Sequence, residues 1–260
     1  MTLGAAPTAA TYGHPVTRPT DSPTRYVDHH VQHRDVTGGW LRPAVFGVMD
    51  GLVSNVALVV GVAAADATNR FVLVAGLAGL LAGAFSMATG EYNSVRSQSE
   101  LAAAEVAIER EELSRAPEAE EAELATIYRG KGLTRELSAA VARELSRDPE
   151  VALRVHAREE LGIDPDNLPS PWTASFASFV SFLLGAAVPL VPYVLGVDEG
   201  ALTFACVGGA AALFGTGVAV SRFTTRSALY TGMRQLVLGS LAAAVTFVVG
   251  SAVGVGVGAG

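Results

Sequence analysis

Residues 43–65, PAVFGVMDGLVSNVALVVGVAAA, form a mostly apolar run whose single charge is Asp50. A transmembrane helix needs about 20 mostly apolar residues, so this run is long enough to cross a bilayer. Four further runs of similar length carry no charge: residues 71–90, 172–197, 201–221 and 235–259. The last two alone would also suit buried helices of a large soluble protein. Five such runs in 260 residues instead predict an all-α integral membrane protein with five transmembrane helices.

The charged residues are concentrated in one block of the chain. Only 17% of the residues are charged, against about 25% in a typical soluble domain, and 50% are hydrophobic. Residues 91–166 nevertheless contain 18 of the 25 acidic residues. A polar block between apolar runs predicts a soluble insert between the second and third spans. The net charge of −7 argues against nucleic acid as a partner, and the single Cys206 excludes a disulfide framework.

These patterns divide the chain into four segments. They are a disordered cytoplasmic tail with an interfacial stretch at 1–37, spans one and two at 38–97, a Glu-rich helical insert at 98–168, and spans three to five at 169–260. His29 and His33 in the tail would share one face of a helix. A weak metal site is therefore the alternative there to a plain interfacial stretch.

The distribution of basic residues predicts the orientation of the protein in the membrane. Of the 18 Lys and Arg residues, 17 fall in the N-terminal tail, the insert and the loop between the fourth and fifth spans. Only Arg70 falls in a loop on the other side. Loops rich in Lys and Arg remain in the cytoplasm, so we expect the N-terminus and the insert there and the C-terminus outside.

Asp50 is the most informative residue of the predicted spans. A carboxylate at membrane depth costs about 2.5–3.5 kcal/mol on insertion scales, so we expect it to face a cavity, a partner or a ligand. Ser54 and Asn55 follow at helical spacing and extend a polar stripe. We interpret Asp50, Ser54 and Asn55 as lining a transport path. The alternative is a hydrogen bond between packed helices.

Met87 is the second candidate within the spans. A thioether is a soft ligand that suits a transition metal, and Ser86, Thr89 and Glu91 are close to it in sequence. A lone methionine in an apolar span is more often a packing residue. The residues alone therefore leave both interpretations of Met87 open.

Carboxylates recur at helical spacing in the insert. The candidates are Glu105, Glu109 and Glu112 on one predicted helix, Glu120 and Glu123 on the next, and His156 with Glu160 on a later helix at 149–161. Pro117 separates the first two helices and would allow their acidic faces to meet. Clustered carboxylates repel one another unless a cation neutralises them, which favours a metal site with oxygen ligands. A solvated acidic face is equally compatible with the spacing.

The remaining patterns concern packing. A predicted helix carries apolar residues on one face that we expect to be core: residues 134–147 with Leu137, Val141 and Leu145. Glycines four residues apart let helix backbones approach closely, and they occur at Gly79 and Gly83 and again at 250–258. Pro189 and Pro192 predict a kink in the third span.

Taken in order, these motifs resemble those of the vacuolar iron transporter family. The resemblance covers about residues 38–256. It is carried by FGVMDGLVSNVALVVGVAAA (46–65), AGAFSMATGEYNSVRSQSE (82–100), the Glu-rich insert and PLVPY (189–193). It implies a homodimer of five-span subunits whose translocation path lies at the dimer interface and is lined by the first two spans. It also implies that Asp50 and Met87 are metal-path residues.

For the insert, the resemblance implies metal binding by glutamates that match Glu109, Glu112, Glu120, Glu123 and Glu160. The chain departs from the plant members of the family at three positions. His156 and Ala157 stand where those members have a pair of methionines, and Gly79 stands where they have a carboxylate in the second span. A nitrogen donor thus replaces one sulfur, and we expect proton coupling to differ in detail.

The sequence therefore predicts a transporter that exports Fe²⁺, with Mn²⁺ as a second cargo, from the cytosol by proton antiport. The metal ions are cargo, no prosthetic group is expected, and the partners are a second copy, protons and the lipid bilayer. The alternative is a membrane-tethered metal sensor or buffer, which would have no use for Asp50 and Met87. The sequence contains no HExxH motif, no phosphate-binding loop and no Ser/His/Asp set, so we do not expect an enzyme. The ratio of 17 Arg to one Lys favours a GC-rich bacterial genome and hence the plasma membrane.

Overall fold

The computed structural model describes residues 39–223 and 226–258. Within those ranges every regular element is helical, which confirms the all-α prediction. The predicted N-terminal tail, with His29 and His33, lies outside the described residues. The elements are α1 (Leu41–Ala64), α2 (Asn69–Arg115), α3 (Pro117–Gly130), α4 (Arg135–Leu145), α5 (Pro149–Glu159), α6 (Pro171–Ala187), a 3₁₀ turn (Val188–Leu190), α7 (Val191–Val194), α8 (Ala201–Ser221) and α9 (Ala228–Gly258).

Five of the described helical segments are long and apolar enough to cross a membrane, which confirms the five predicted spans. They are α1, the first part of α2, α6 together with α7, α8 and α9. Three of them begin at side-chain caps. The hydroxyl oxygens of Thr68, Ser170 and Ser227 accept hydrogen bonds from the N–H groups of Phe71, Thr173 and Tyr230. Such caps satisfy amides that the first turn of a helix leaves without a partner.

Helix α1 lies at the centre of the spans and packs against α2, α6, α8 and α9. Glycines permit its closest contacts. A Cβ atom on Gly51 would meet the carbonyl of Phe182, and one on Gly250 would meet the carbonyl of Gly61. The backbones of α1 and α6, and of α1 and α9, therefore touch directly, as small residues allow in membrane helices. The predicted glycine spacing in the last span thus serves a contact with α1.

The third span changes helix type where the prolines predict a kink. Helix α6 ends at Ala187, the 3₁₀ turn includes Pro189, and α7 begins at Val191. Proline has no N–H to donate to the preceding turn. In a 3₁₀ turn, the carbonyl that would have received the hydrogen bond lies three residues back, at Ala186. This interruption lies beside α1 and leaves the Ala186 carbonyl available to a side chain.

Helix α2 continues without a break from the second span into the predicted insert. Its 47 residues extend over about 70 Å at the usual rise of 1.5 Å per residue. Helix α5 packs against it, α3 begins at Pro117, and α4 packs mainly against α3. The buried side chains of Leu124 and Leu153 lie in this group of helices. The structure thus gives the acidic segment a small core of its own.

The prediction that Leu137 packs as core is wrong. Its side chain is 54% exposed, whereas Ser138 and Ala142, which directly follow the predicted core residues Leu137 and Val141, are fully buried. Val141 and Leu145 are only partly buried. Small residues let α4 approach α3 closely, and this close approach turns the larger leucine outward.

Candidate metal sites

Polar residues of the first two spans line a cleft of about 250 Å³. Helices α1 and α2 form most of its wall, and Phe182 of α6 closes one side. The lining residues are Asp50, Ser54, Asn55 and Leu58 from α1, and Gly79, Gly83, Ser86 and Met87 from α2. The structure therefore brings together all four residues that the sequence predicts for a transport path.

Asp50 lies nine residues after the start of α1, about 14 Å along the helix axis, and is half-buried. The Ser54 hydroxyl donates a hydrogen bond of 2.6 Å to the backbone carbonyl of Asp50. This bond uses the hydroxyl proton and leaves oxygen lone pairs toward the cleft. Among the described residues, no basic side chain forms an ion pair with the Asp50 carboxylate. A cation that enters the cleft therefore meets a carboxylate without a competing partner.

Asn55 is 2% exposed and links α1 to the third span. Its Nδ2 donates a hydrogen bond of 2.5 Å to the carbonyl oxygen of Ala186. Its Oδ1 has no hydrogen-bond partner and lies 3.3 Å from the position that a Cβ atom on Gly79 would occupy. The amide therefore presents its oxygen toward the α2 side of the cleft.

Met87 lines the cleft and also packs against the buried group of Ala84, Phe182 and Ala186. It thus has the surroundings expected of a packing residue and the position expected of a ligand. Sequence reasoning missed two residues of α6: Phe182, which lines the cleft, and Ala186, whose carbonyl accepts the hydrogen bond from Asn55. Nothing in the apolar stretch around them distinguishes them from their neighbours.

In the insert, His156 is fully buried and three carboxylates from three helices converge on its Nδ1. The distances to Nδ1 are 3.1 Å from Glu109 of α2, 3.9 Å from Glu120 of α3 and 3.8 Å from Glu160 at the end of α5. The helix break at Pro117 lies between Glu109 and Glu120, whose carboxylates both lie within 3.9 Å of His156 Nδ1. Of the two interpretations that the spacing left open, the structure thus favours acidic faces that meet.

This buried cluster has polar atoms without partners. Glu109 Oε1 and His156 Nδ1 are 3.1 Å apart but are not aligned for a hydrogen bond, and His156 Nε2 also lacks a partner. Each such atom costs about 1–3 kcal/mol when it is buried unsatisfied. The cluster is therefore unfavourable by itself, and a ligand that accepts these lone pairs would relieve the cost.

The electrostatics of the cluster also favour a bound cation. Burial is the main cause that raises the pKa of Glu109 to about 7, and the charges of Glu160, Glu120, Glu112 and Glu123 contribute to this shift in that order. Burial also raises the pKa of Glu120, aided by Glu123 and opposed by His156. The four charges that act on Glu109 all belong to glutamates, so each of them disfavours a further negative charge on Glu109.

The outer predicted ligands differ in position. Glu112 and Glu123 are exposed and act on Glu109 through their charge. Glu105, one turn earlier on α2, forms no ion pair with His156 in the part of the chain that the structure describes. Two ion pairs hold the helices around the cluster: Arg110 with Glu150, and Lys131 with Glu159. Of the predicted insert ligands, Glu109, Glu120 and Glu160 thus lie within 3.9 Å of His156 Nδ1, while no such contact of Glu105, Glu112 or Glu123 is found among the described residues.

The donor atoms fit a divalent transition metal. One oxygen of Glu109, one ring nitrogen of His156 and one oxygen of Glu160 all lie within 4.8 Å of one another. Ligands at about 2.1 Å from one ion stand about 3–4 Å apart, so small side-chain rotations would let these three share an ion. Carboxylate and imidazole donors suit Fe²⁺ and Mn²⁺, and Zn²⁺ as well.

These features define a multi-pass helical membrane protein with one polar cleft inside its spans and one nitrogen–oxygen cluster of metal-ligand type outside them. The sequence profile of the VIT family matches residues 41–251, which is nearly all of the described chain. The chain therefore belongs to the VIT family, as the motifs of the sequence predict.

Curated relatives agree over most of their lengths. The chain is 38% identical to a vacuolar iron transporter of Acanthamoeba castellanii over 82% of this chain and 78% of the relative. It is 32% identical to vacuolar iron transporter 1 of Arabidopsis thaliana, over 85% and 89% of the two chains. It is also 36% identical to vacuolar iron transporter homolog 1 of Oryza sativa, over 80% and 71%.

Proposed function

We propose that this protein exports Fe²⁺, with Mn²⁺ as a second cargo, from the cytosol in exchange for protons. The cleft carries the proposal, because a carboxylate, an amide, a hydroxyl and a thioether face one space inside otherwise apolar spans. The carboxylate of Asp50 offsets the charge of a divalent ion, and the thioether of Met87 adds a softer ligand. Relatives named vacuolar iron transporters support iron as the cargo.

The insert collects metal before it enters the cleft. His156, Glu109, Glu120 and Glu160 form the inner ligand set, and the remaining glutamates attract cations through their charge. The bias of basic residues toward one side supports a cytoplasmic insert and N-terminus, with the C-terminus outside. The cellular setting in this proposal is a bacterial plasma membrane.

Proton exchange follows from the chemistry of the ligands. A metal ion binds the ionised form of a carboxylate, so binding releases any proton that the carboxylate holds. In the metal-free insert Glu109 has a pKa of about 7 and holds such a proton near neutral pH. In the cleft, Asp50 would accept a proton from outside once the metal has left, and would return it to the cytosol.

A homodimer is part of the proposal. Leu77, Leu81 and Phe85 of α2 are 41%, 52% and 62% exposed, on the helix that forms one wall of the cleft. A second copy packed against α2 would cover these side chains and would close the cleft on the side that lacks a third helix. This arrangement would place two clefts next to each other around one path.

The competing function is a membrane-tethered sensor or buffer that does not transport. It needs only the cluster in the insert, and the cleft would then have no role. Flux through proteoliposomes separates the two functions. We expect purified full-length protein to move Fe²⁺ and Mn²⁺, and a proton gradient to accelerate that movement.

Asp50→Asn is the decisive variant in this assay, because it keeps the shape of the side chain and removes the charge. Asp66→Asn is the matched control. Asp66 lies between α1 and α2 at a φ of 61°, a conformation that asparagine also tolerates. If the Asp50→Asn variant moves metal at the wild-type rate, the transport mechanism is refuted. If the wild-type protein binds metal but does not move it, the sensor is supported.

A further inference from the structure

The side chain of Asn55 contains a buried amide oxygen, Oδ1, that has no hydrogen-bond partner. It is 2% exposed, its Nδ2 is hydrogen-bonded to Ala186, and its Oδ1 has no partner. Buried amide oxygens almost always accept a hydrogen bond in folded proteins. An unpaired one that lines a polar cleft therefore indicates a ligand.

Helix α6 fixes which way the amide points. The Ala186 carbonyl can only accept a hydrogen bond, so the NH₂ group of Asn55 must face it and the oxygen must face away. That carbonyl is available because Pro189, three residues later in the 3₁₀ turn, has no N–H to donate to it. The orientation of Asn55 thus follows from the position of a proline in another span.

The free oxygen is placed beyond Asp50 along the cleft. Asn55 follows Asp50 by five residues, about 7.5 Å along α1, and both residues line the same space as Met87. The hydroxyl of Ser54, between them, is already bonded to the Asp50 carbonyl. A Cβ atom on Gly79 of α2 would lie only 2.8 Å from Leu58 Cδ1 and 3.3 Å from Asn55 Oδ1, so the missing side chain at Gly79 leaves room for these two α1 side chains.

We propose that Asn55 Oδ1 is a metal ligand of the cleft that favours harder divalent ions, and that Pro189 is its positioning residue. The proposal rests on the proposed function, since it assigns a ligand in the same transport path. With Asp50 and Met87, the amide gives a set of two oxygens and one sulfur. A carbonyl-type oxygen suits Mn²⁺, whereas a thioether suits softer ions, so the amide oxygen should raise preference for Mn²⁺ over Zn²⁺.

The test compares Mn²⁺ and Zn²⁺ uptake by full-length protein in proteoliposomes at subsaturating metal. For Asn55→Ala we expect the ratio of Mn²⁺ to Zn²⁺ uptake to fall about tenfold, the lower end of the effect of disturbing a metal's ligand shell. Pro189→Ala restores an N–H for Ala186, which competes with Asn55. It should lower the same ratio although Asn55 is still present.

Ser178→Ala is the matched control. Ser178 is a fully buried polar residue of α6 near Gly47 of α1, and it lies outside the cleft. We expect its uptake ratio to equal that of the wild type. Its uptake of each ion separately should also stay close to the wild-type value.

Equal losses of Mn²⁺ and Zn²⁺ uptake in Asn55→Ala would show that Asn55 only packs α1 against α6, and would overturn the proposal. If that variant does not fold, an unchanged ratio in Pro189→Ala overturns it instead. Both outcomes leave the transport function intact. Wild-type protein that moves neither ion would refute the proposed function, and this ligand assignment with it.

Discussion

Replacing Glu109 by Gln should stabilise the metal-free insert at alkaline pH and weaken its metal binding at the same time. Glu109 is buried beside His156, and its pKa is raised from 4.5 to about 7. Each tenfold change in acidity corresponds to about 1.4 kcal/mol, so keeping Glu109 ionised in the folded protein costs about 3 kcal/mol. Gln has nearly the same shape and never carries that charge.

The sign of the pH dependence follows from proton counting. Below pH 4.5 the carboxyl is protonated in both the folded and unfolded states, so it contributes no difference. Between that pH and about 7 the folded state holds the proton more tightly, so its stability falls as the pH rises. The stability gained by Glu109→Gln should thus be about 1 kcal/mol at pH 5 and about 3 kcal/mol at pH 8.

Hydrogen exchange of peptides from α2 to α5 measures this gain in full-length protein that is kept free of metal by a chelator. Wild type and variant are compared at the same pH, so intrinsic exchange rates cancel. At pH 8 a gain of about 3 kcal/mol slows exchange through opening of the insert about 100-fold. Glu136→Gln, which changes an exposed carboxylate of α4, is the control and should change little. Equal exchange rates at pH 8, or an equal gain at pH 5, would refute the reasoning.

Three shorter predictions concern the two metal sites and the packing of the spans. Asp50→Asn should abolish metal flux while the protein still elutes as a folded species in size-exclusion chromatography; flux at the wild-type rate contradicts this. His156→Met replaces a harder donor by a softer one, so calorimetry should show Mn²⁺ binding weakened more than Fe²⁺ binding; identical losses would remove His156 from the ligand set. Gly250→Ala places a methyl group against the Gly61 carbonyl and should lower the unfolding temperature, whereas Gly215→Ala, with open space around it, should not; equal unfolding temperatures would exclude that contact.

The spans could be predicted because the physical constraint on them is severe. Lipid tolerates few charges over about 20 residues, so composition alone located α1 to within two residues of its observed start. The convergence of glutamates on one another could be predicted in part, because helical spacing and Pro117 determine which faces can meet. That these glutamates also converge on His156 could be seen only in the structure, because α5, which carries His156, lies about 40 residues further along the chain.

Other features depend on contacts between distant segments that no local pattern encodes. The Asn55 amide is oriented by Ala186, which is 131 residues away in sequence. Leu137 was expected in the core because leucine is apolar, but the smaller Ser138 and Ala142 allow the closer helix contact. In both cases the geometry of a helix pair decides which residue is used, and that geometry is a property of the whole fold.

Because α2 is one unbroken helix, a tilt of its membrane-spanning part would move the residues that it contributes to the insert. Met87 and Glu109 lie 22 residues apart on it, about 33 Å along its axis but only about 40° around it. A tilt of about 10° pivoting at Met87 would carry Glu109 sideways by about 6 Å at this rise per residue. Because α3 and α5 supply Glu120 and His156, such a swing would pull one ligand away from the others. Such a tilt would link metal release by the insert to a rearrangement of the cleft, and a single residue inserted near position 97 would turn Glu109 by about 100° relative to Met87 without changing the residues of either site.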